Sequence, residues 1–81
     1  MKIKRAIALR ISNVMIKNKI PSQYAVCKNA GLTESTLRNI INEVHETVNI
    51  LTLIRICDGL KITIQDFFND DLFKRENLDI E

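Results

Sequence analysis

The sequence predicts an all-α fold, a compact domain of five helices, and three observations carry that expectation. Apolar residues return at intervals of three and four through most of the chain, as they do along one face of a helix. Residues suited to helix capping (Ser22, Thr33, Asn49 and Thr63) each stand at the head of such a stretch. The chain of 81 residues is 46% hydrophobic with only two glycines and one proline, a balance that favours a small packed core over disorder. Helices are expected near residues 3–17, 22–30, 33–42, 49–60 and 63–68. They form one domain over residues 1–69, followed by a tail, 70–81, that is either packed or placed at a dimer contact.

The first stretch has Ile3, Ile7, Ile11 and Val14 on one side, with Ala6, Leu9 and Met15 nearby; Lys4, Arg10 and Lys17 fall largely on the other. Pro21 disfavours helical geometry at Ile20, so the helix ends before that pair. A basic amphipathic helix is also a candidate for a membrane surface. Its modest length and its place beside the next motif make packing onto that motif the better account.

The next stretch, SQYAVCKNAGLTESTLRNIIN from Ser22 to Asn42, reads as two short helices around a tight turn. Ser22 caps the first, whose inner face holds Val26 and Ala30 with Cys27 beside them. Gly31 is suited to the left-handed conformation that ends a helix. Leu32 turns inward and Thr33 caps a second helix with Leu37, Ile40 and Ile41 inside. Glu34, Ser35, Arg38, Asn39 and Asn42 remain outside, with Thr36 near the edge. Helix, glycine turn and capped helix with a hydrogen-bonding outer face make a helix-turn-helix.

A short polar connection, EVHETV, leads to Asn49 and a fourth helix rich in apolar residues: Ile50, Leu51, Leu53, Ile54, Ile56, Cys57 and Leu60. One face cannot hold them all, so part is expected to stay exposed as a partner surface unless the other helices enclose it. Thr63 and Asp66 have the spacing of a capping box opening the last helix, and Phe67 and Phe68 are expected to close the base of the core with Leu60 and Ile62. The tail carries Leu72, Phe73, Leu78 and Ile80 among charges, and fraying, an extra turn or a contact with a second subunit all fit it. No internal repeat, linker or low-complexity segment stands out.

Charge is divided along the chain. Lys2, Lys4, Arg5, Arg10, Lys17, Lys19 and Lys28 precede Leu32 without a single acid, and all ten acids lie after it. Such a split can set a basic face toward phosphate, with a merely solvated basic helix as the lesser alternative. No apolar run approaches the ~18 residues of a membrane span, and the start lacks the hydrophobic block and cleavage site of a secretory signal. A cytoplasmic setting is expected. Cys27 and Cys57 fall within helical patterns without the spacing of a zinc site, and His45 has no partner that would make it a ligand or a base. Both cysteines are expected to be reduced, buried apolar residues, with no metal, no cofactor and no catalysis.

From Ser22 to Phe68 the chain resembles the Cro and phage-repressor (XRE-type) helix-turn-helix proteins. Gln23 stands at the start of their first motif helix, Cys27 at the small-residue contact between the two helices, and Gly31 at the turn. Leu32 comes next as the apolar residue, and Leu37 and Ile40 are the buried pair of the recognition helix. NILTLIRICDGLKITIQDFF is similar to the fourth helix, capped turn and fifth helix of that family. The resemblance implies a lambda-repressor-like fold, double-stranded DNA as partner and a twofold homodimer. Two departures stand out: the family often has glycine where Glu43 and Lys61 stand, so these two turns are expected to close differently.

On this reading the chain binds DNA sequence-specifically in the major groove and regulates transcription, as a repressor, without a small-molecule ligand. The base-reading face is Glu34, Ser35, Thr36, Arg38 and Asn39; Asn39 offers the best two-point match, to adenine N6 and N7. Arg38 suits guanine or phosphate, or else an ordinary helical pair with Glu34. Phosphate falls to Ser22 and Gln23 at a helix N-terminus, to Lys17 and Lys28 with the other cations of the first helix, and, by resemblance, to Asn42. The rival is a protein-interaction module, such as an antitoxin or adaptor, that retains the fold; the acidic second part of the chain favours it.

Overall fold

The computed structural model describes residues 1–80. Five α-helices occur in order: α1 (Ile3–Lys17), α2 (Gln23–Ala30), α3 (Glu34–Ile41), α4 (Ile50–Leu60) and α5 (Ile64–Phe68). Two 3₁₀ turns, Asp71–Phe73 and Arg75–Asn77, complete the chain, and no strand occurs among the described residues. The expected ranges differ from these by one residue at five of the ten ends, because the caps lie just outside the helices. Ser22, Thr33, Asn49 and Thr63 each accept a backbone N–H from the first turn of the helix they open. Each satisfies a donor that the start of a helix leaves unpaired.

The four longer helices all end in the same way. Lys19, Gly31, Glu43 and Lys61 take positive φ (55°, 68°, 59° and 61°). The next N–H of each turn donates back to a carbonyl five residues earlier: Ile20 to Met15, Leu32 to Cys27, Val44 to Asn39 and Ile62 to Cys57, at 2.9–3.1 Å. This is the Schellman closure, which usually takes glycine at the left-handed residue. The different closure expected at Glu43 and Lys61 does not occur; the glycine conformation is kept and the side chains bear its strain. Ile20, Leu32 and Ile62 then pack against the core, the apolar contact that often accompanies the motif.

Ile7, Ile11 and Val14 of α1, Val26 and Cys27 of α2, Leu37 of α3, Leu53, Ile56, Cys57 and Leu60 of α4, and Phe67 of α5 form one buried cluster. No described polar or charged residue is buried. Gly59 lets α2 and α4 approach closely: a Cβ there would collide with the backbone oxygen of Val26 and lie 3.0 Å from the Ala30 Cβ.

Three expectations for individual side chains are corrected. Leu9 is exposed rather than part of the inner face. Phe68 is only partly covered, although it meets Phe67 and Phe73 edge-on at 5.3 and 4.8 Å between ring centroids. Arg10 does not face solvent: it donates through Nε to Phe67 O (2.8 Å), through Nη2 to Asp66 O (2.7 Å) and through Nη1 to Asp70 Oδ2 (3.2 Å). Asp66 O also accepts from Asn69 N–H, whereas Phe67 O is one of the acceptors that the end of a helix leaves unpaired. Asn18 does the same for α4, donating to Leu60 O at 2.9 Å. α1 thus closes the open ends of two other helices. The tail folds back as well, with Phe73 on the core and Asp79 N–H donating to Met1 O at 2.8 Å.

Candidate nucleic-acid interface

α2 and α3 meet at the turn around Gly31. Cys27 fills the corner, its Sγ 3.6 Å from Thr33 O. Burial, and then the nearby Glu34 charge, push its thiol above the ordinary range. Leu37 is fully buried and holds α3 by its inner side, while Glu34, Ser35, Arg38 and Asn39 are exposed. The Thr33 hydroxyl lies within hydrogen-bond distance of both the Ser35 (3.2 Å) and Thr36 (2.8 Å) hydroxyls, while also accepting from Thr36 N–H. The polar groups of the first turn thus hydrogen-bond to one another in the free chain. Among the described residues Arg38 and Lys28 form no ion pair, so the helical pair with Glu34 is not made.

Ser22 is exposed and Gln23 half-buried at the start of α2, and the Ser22 hydroxyl accepts from Ala25 N–H at 3.2 Å. Lys28 is exposed near the end of the same helix. Asn42 is exposed as the C-cap of α3. Lys17 is placed elsewhere than the other sequence-derived candidates. It lines a cleft of about 540 Å³ with Arg10, Asn18, Asp58, Lys61 and Thr63, between α1 and the α4–α5 junction.

The cations at the start of α1 are not a free basic face. Lys4 Nζ donates to Glu46 Oε1 at 2.8 Å, Lys2 Nζ lies 3.8 Å from the other oxygen of Glu46, and Arg5 Nε contacts the Glu43 carboxylate at 3.1 Å. The hydrogen bond from Lys4, with the charges of Lys2 and Lys4, holds the Glu46 carboxyl below its usual range. Arg10 is likewise bound to α5, so these cations are engaged in the free chain. The three N-terminal ones are held by acids of the connection after α3.

In sequence that connection shows only its polarity. In space, His45, Thr47, Val48, Asn49 and Thr52 face Thr36, Asn39 and Ile40 across a cleft of about 200 Å³. Val48 packs on the core and anchors the segment, and Asn49 is engaged as a cap. The apolar Val48 and the capping Asn49 are the only sequence signals of this placement. Cys57 is buried, which pushes its thiol up to about 11, while His45 lies exposed. Both thiols are free, and burial keeps them protonated at neutral pH. No described helix is long and apolar enough to cross a membrane.

A capped α2, a left-handed glycine turn and an α3 whose polar face is exposed define a helix-turn-helix. A profile of the Cro/C1-type HTH DNA-binding domain matches residues 10–71, and the chain belongs to that family, whose domain binds DNA. No curated relative and no solved structure matches the chain.

Proposed function

We propose that the chain reads a specific double-stranded DNA sequence through the major groove and acts as a small transcriptional repressor. The observation that carries this is the outer face of α3, where Glu34, Ser35, Arg38 and Asn39 stand exposed on a helix pinned by the buried Leu37. Asn39 pairs with adenine N6 and N7, Arg38 with guanine or phosphate, and Glu34 accepts from cytosine N4. Ser35 and Thr36 contribute short hydroxyls near the helix start. Ser22 and Gln23 at the N-terminus of α2, with Lys28 and Asn42, hold phosphate and set the register. Replacing Asn39 by alanine is expected to cost ~1–3 kcal/mol on the preferred site and little on random DNA, as read by a gel shift on both. An unchanged preference for specific over random DNA refutes the assignment of α3. A chain that shifts no DNA at any salt favours the adaptor reading instead.

The working unit is a homodimer with recognition helices ~34 Å apart, one turn of duplex. Support comes from α4, where Ile50, Leu51 and Ile54 are 60%, 54% and 40% exposed. This is the surplus of apolar surface that the sequence led one to expect. Sedimentation of the free chain and of its DNA complex tests it, and a strict monomer in both ends the dimer hypothesis without touching DNA binding.

A further inference from the structure

Lys2, Lys4 and Arg5 surround a cleft of about 560 Å³ whose other wall is Asn42 and Glu43, at the C-terminal end of α3. Three cations at a helix N-terminus oppose the helix dipole, and the first turn of α1 contains no acid to offset them. The offset comes instead from Glu43 and Glu46, in the chain just after the recognition helix. Glu43 is the left-handed residue of the turn, so the backbone that ends α3 also sets its carboxylate beside Arg5. Glu46 occupies both lysines, and the Lys4 side chain is largely covered where it does so.

A carboxylate and a phosphodiester make the same kind of charge-assisted hydrogen bond to lysine and arginine. We propose that Lys2, Lys4 and Arg5 form a binding site for a DNA backbone phosphate, and that Glu43, from the wall of the cleft, and Glu46, beside it, hold these cations in the free protein. On DNA the phosphate displaces the carboxylates from Lys2, Lys4 and Arg5, and the two acids thereby lower the affinity of the chain for DNA. The proposal rests on the reading of α3 as the groove helix, because that reading brings the end of α3 and Asn42 to the backbone. Exposed ion pairs are weak enough for such an exchange.

The test is a cycle of charge-neutral variants of the full chain, with DNA affinity measured over a range of salt. Glu43→Gln with Glu46→Gln is expected to bind both specific and random DNA more tightly. Its slope of log affinity against log salt should steepen by ~0.9 for each phosphate newly met. Glu46→Gln alone, which leaves the turn residue untouched, should give part of that change and serves if the double variant does not fold. Simple loss of repulsion also tightens binding, so both variants are repeated with Lys2, Lys4 and Arg5 changed to glutamine. If the cations take the phosphate, the gain disappears in that background; a gain that survives there overturns the proposal. Unchanged affinity and slope in a chain that binds DNA also overturn it, and leave the reading of α3 standing. If neither the natural chain nor its variants bind DNA, both fall.

Discussion

α2–turn–α3 and α4–turn–α5 use one backbone device and put it to opposite ends. Cys27, Gly31, Leu32, Thr33 and Leu37 correspond position by position to Cys57, Lys61, Ile62, Thr63 and Phe67. In each unit a buried cysteine accepts the long-range bond of the closure, a left-handed residue turns the chain, and an apolar residue seats against the core. A threonine then caps a second helix anchored by one fully buried side chain. The sequence shows no repeat in the ordinary sense, because only these structural positions agree. Past the corner the two units diverge. α3 runs for eight residues and ends at the exposed Asn42, with its outer side chains free of other helices. α5 runs for five, and Arg10 takes its last carbonyls. The local code thus builds a corner, and the partner waiting beyond it decides whether the corner presents a surface or closes the core.

The largest expected effect breaks the contact between the two units. Gly59→Ala sets a methyl group against the Val26 carbonyl, a backbone atom that cannot turn aside. We expect at least about 3 kcal/mol of destabilisation, measured as a shift in the denaturant midpoint. A midpoint within experimental error of the natural chain would show that α2 and α4 can separate at little cost.

Arg10→Lys comes next and bears only on the closed corner. The ammonium cannot reproduce a fork that serves two carbonyls and a carboxylate at once. A loss of about 2 kcal/mol is expected, with the DNA affinity of the folded protein unchanged because α3 is not held by Arg10. Loss of DNA affinity without loss of stability would mean that Arg10 itself meets DNA.

The smallest effects come from the turns and should have opposite signs. Gly31→Ala has open space for its methyl group, so its cost of about 1 kcal/mol is backbone strain alone. Lys61→Gly relieves the same strain and should stabilise by about 0.5 kcal/mol, the gain being trimmed by the freer unfolded chain. Two changes of the same sign would show that the corners are not equivalent.

Much of the fold was legible because its instructions are local. Ser22, Thr33, Asn49 and Thr63 act within one turn of themselves, and the apolar spacing selects helices and their inner faces before any helix meets another. The turn at Gly31 was legible for the same reason, whereas those at Lys19, Glu43 and Lys61 were not, because neighbouring structure imposes their conformation against the preference of the side chain. The outer face of α3 came from spacing as well, since residues left over from an inner face must point out. Gly59 carries no signal of its own in the sequence, and its role appears only with Val26 packed against it. Arg10, Lys4 and Arg5 read as an open basic face turned to phosphate, and their partners in α5, Glu46 and Glu43 could not be read from the chain. Caps and periodicity depend on neighbours a few residues away and are written in the order of the chain. Close helix packing, carbonyls claimed by a distant arginine and cations held by a distant loop depend on which segments meet in space, and only the tertiary structure settled them.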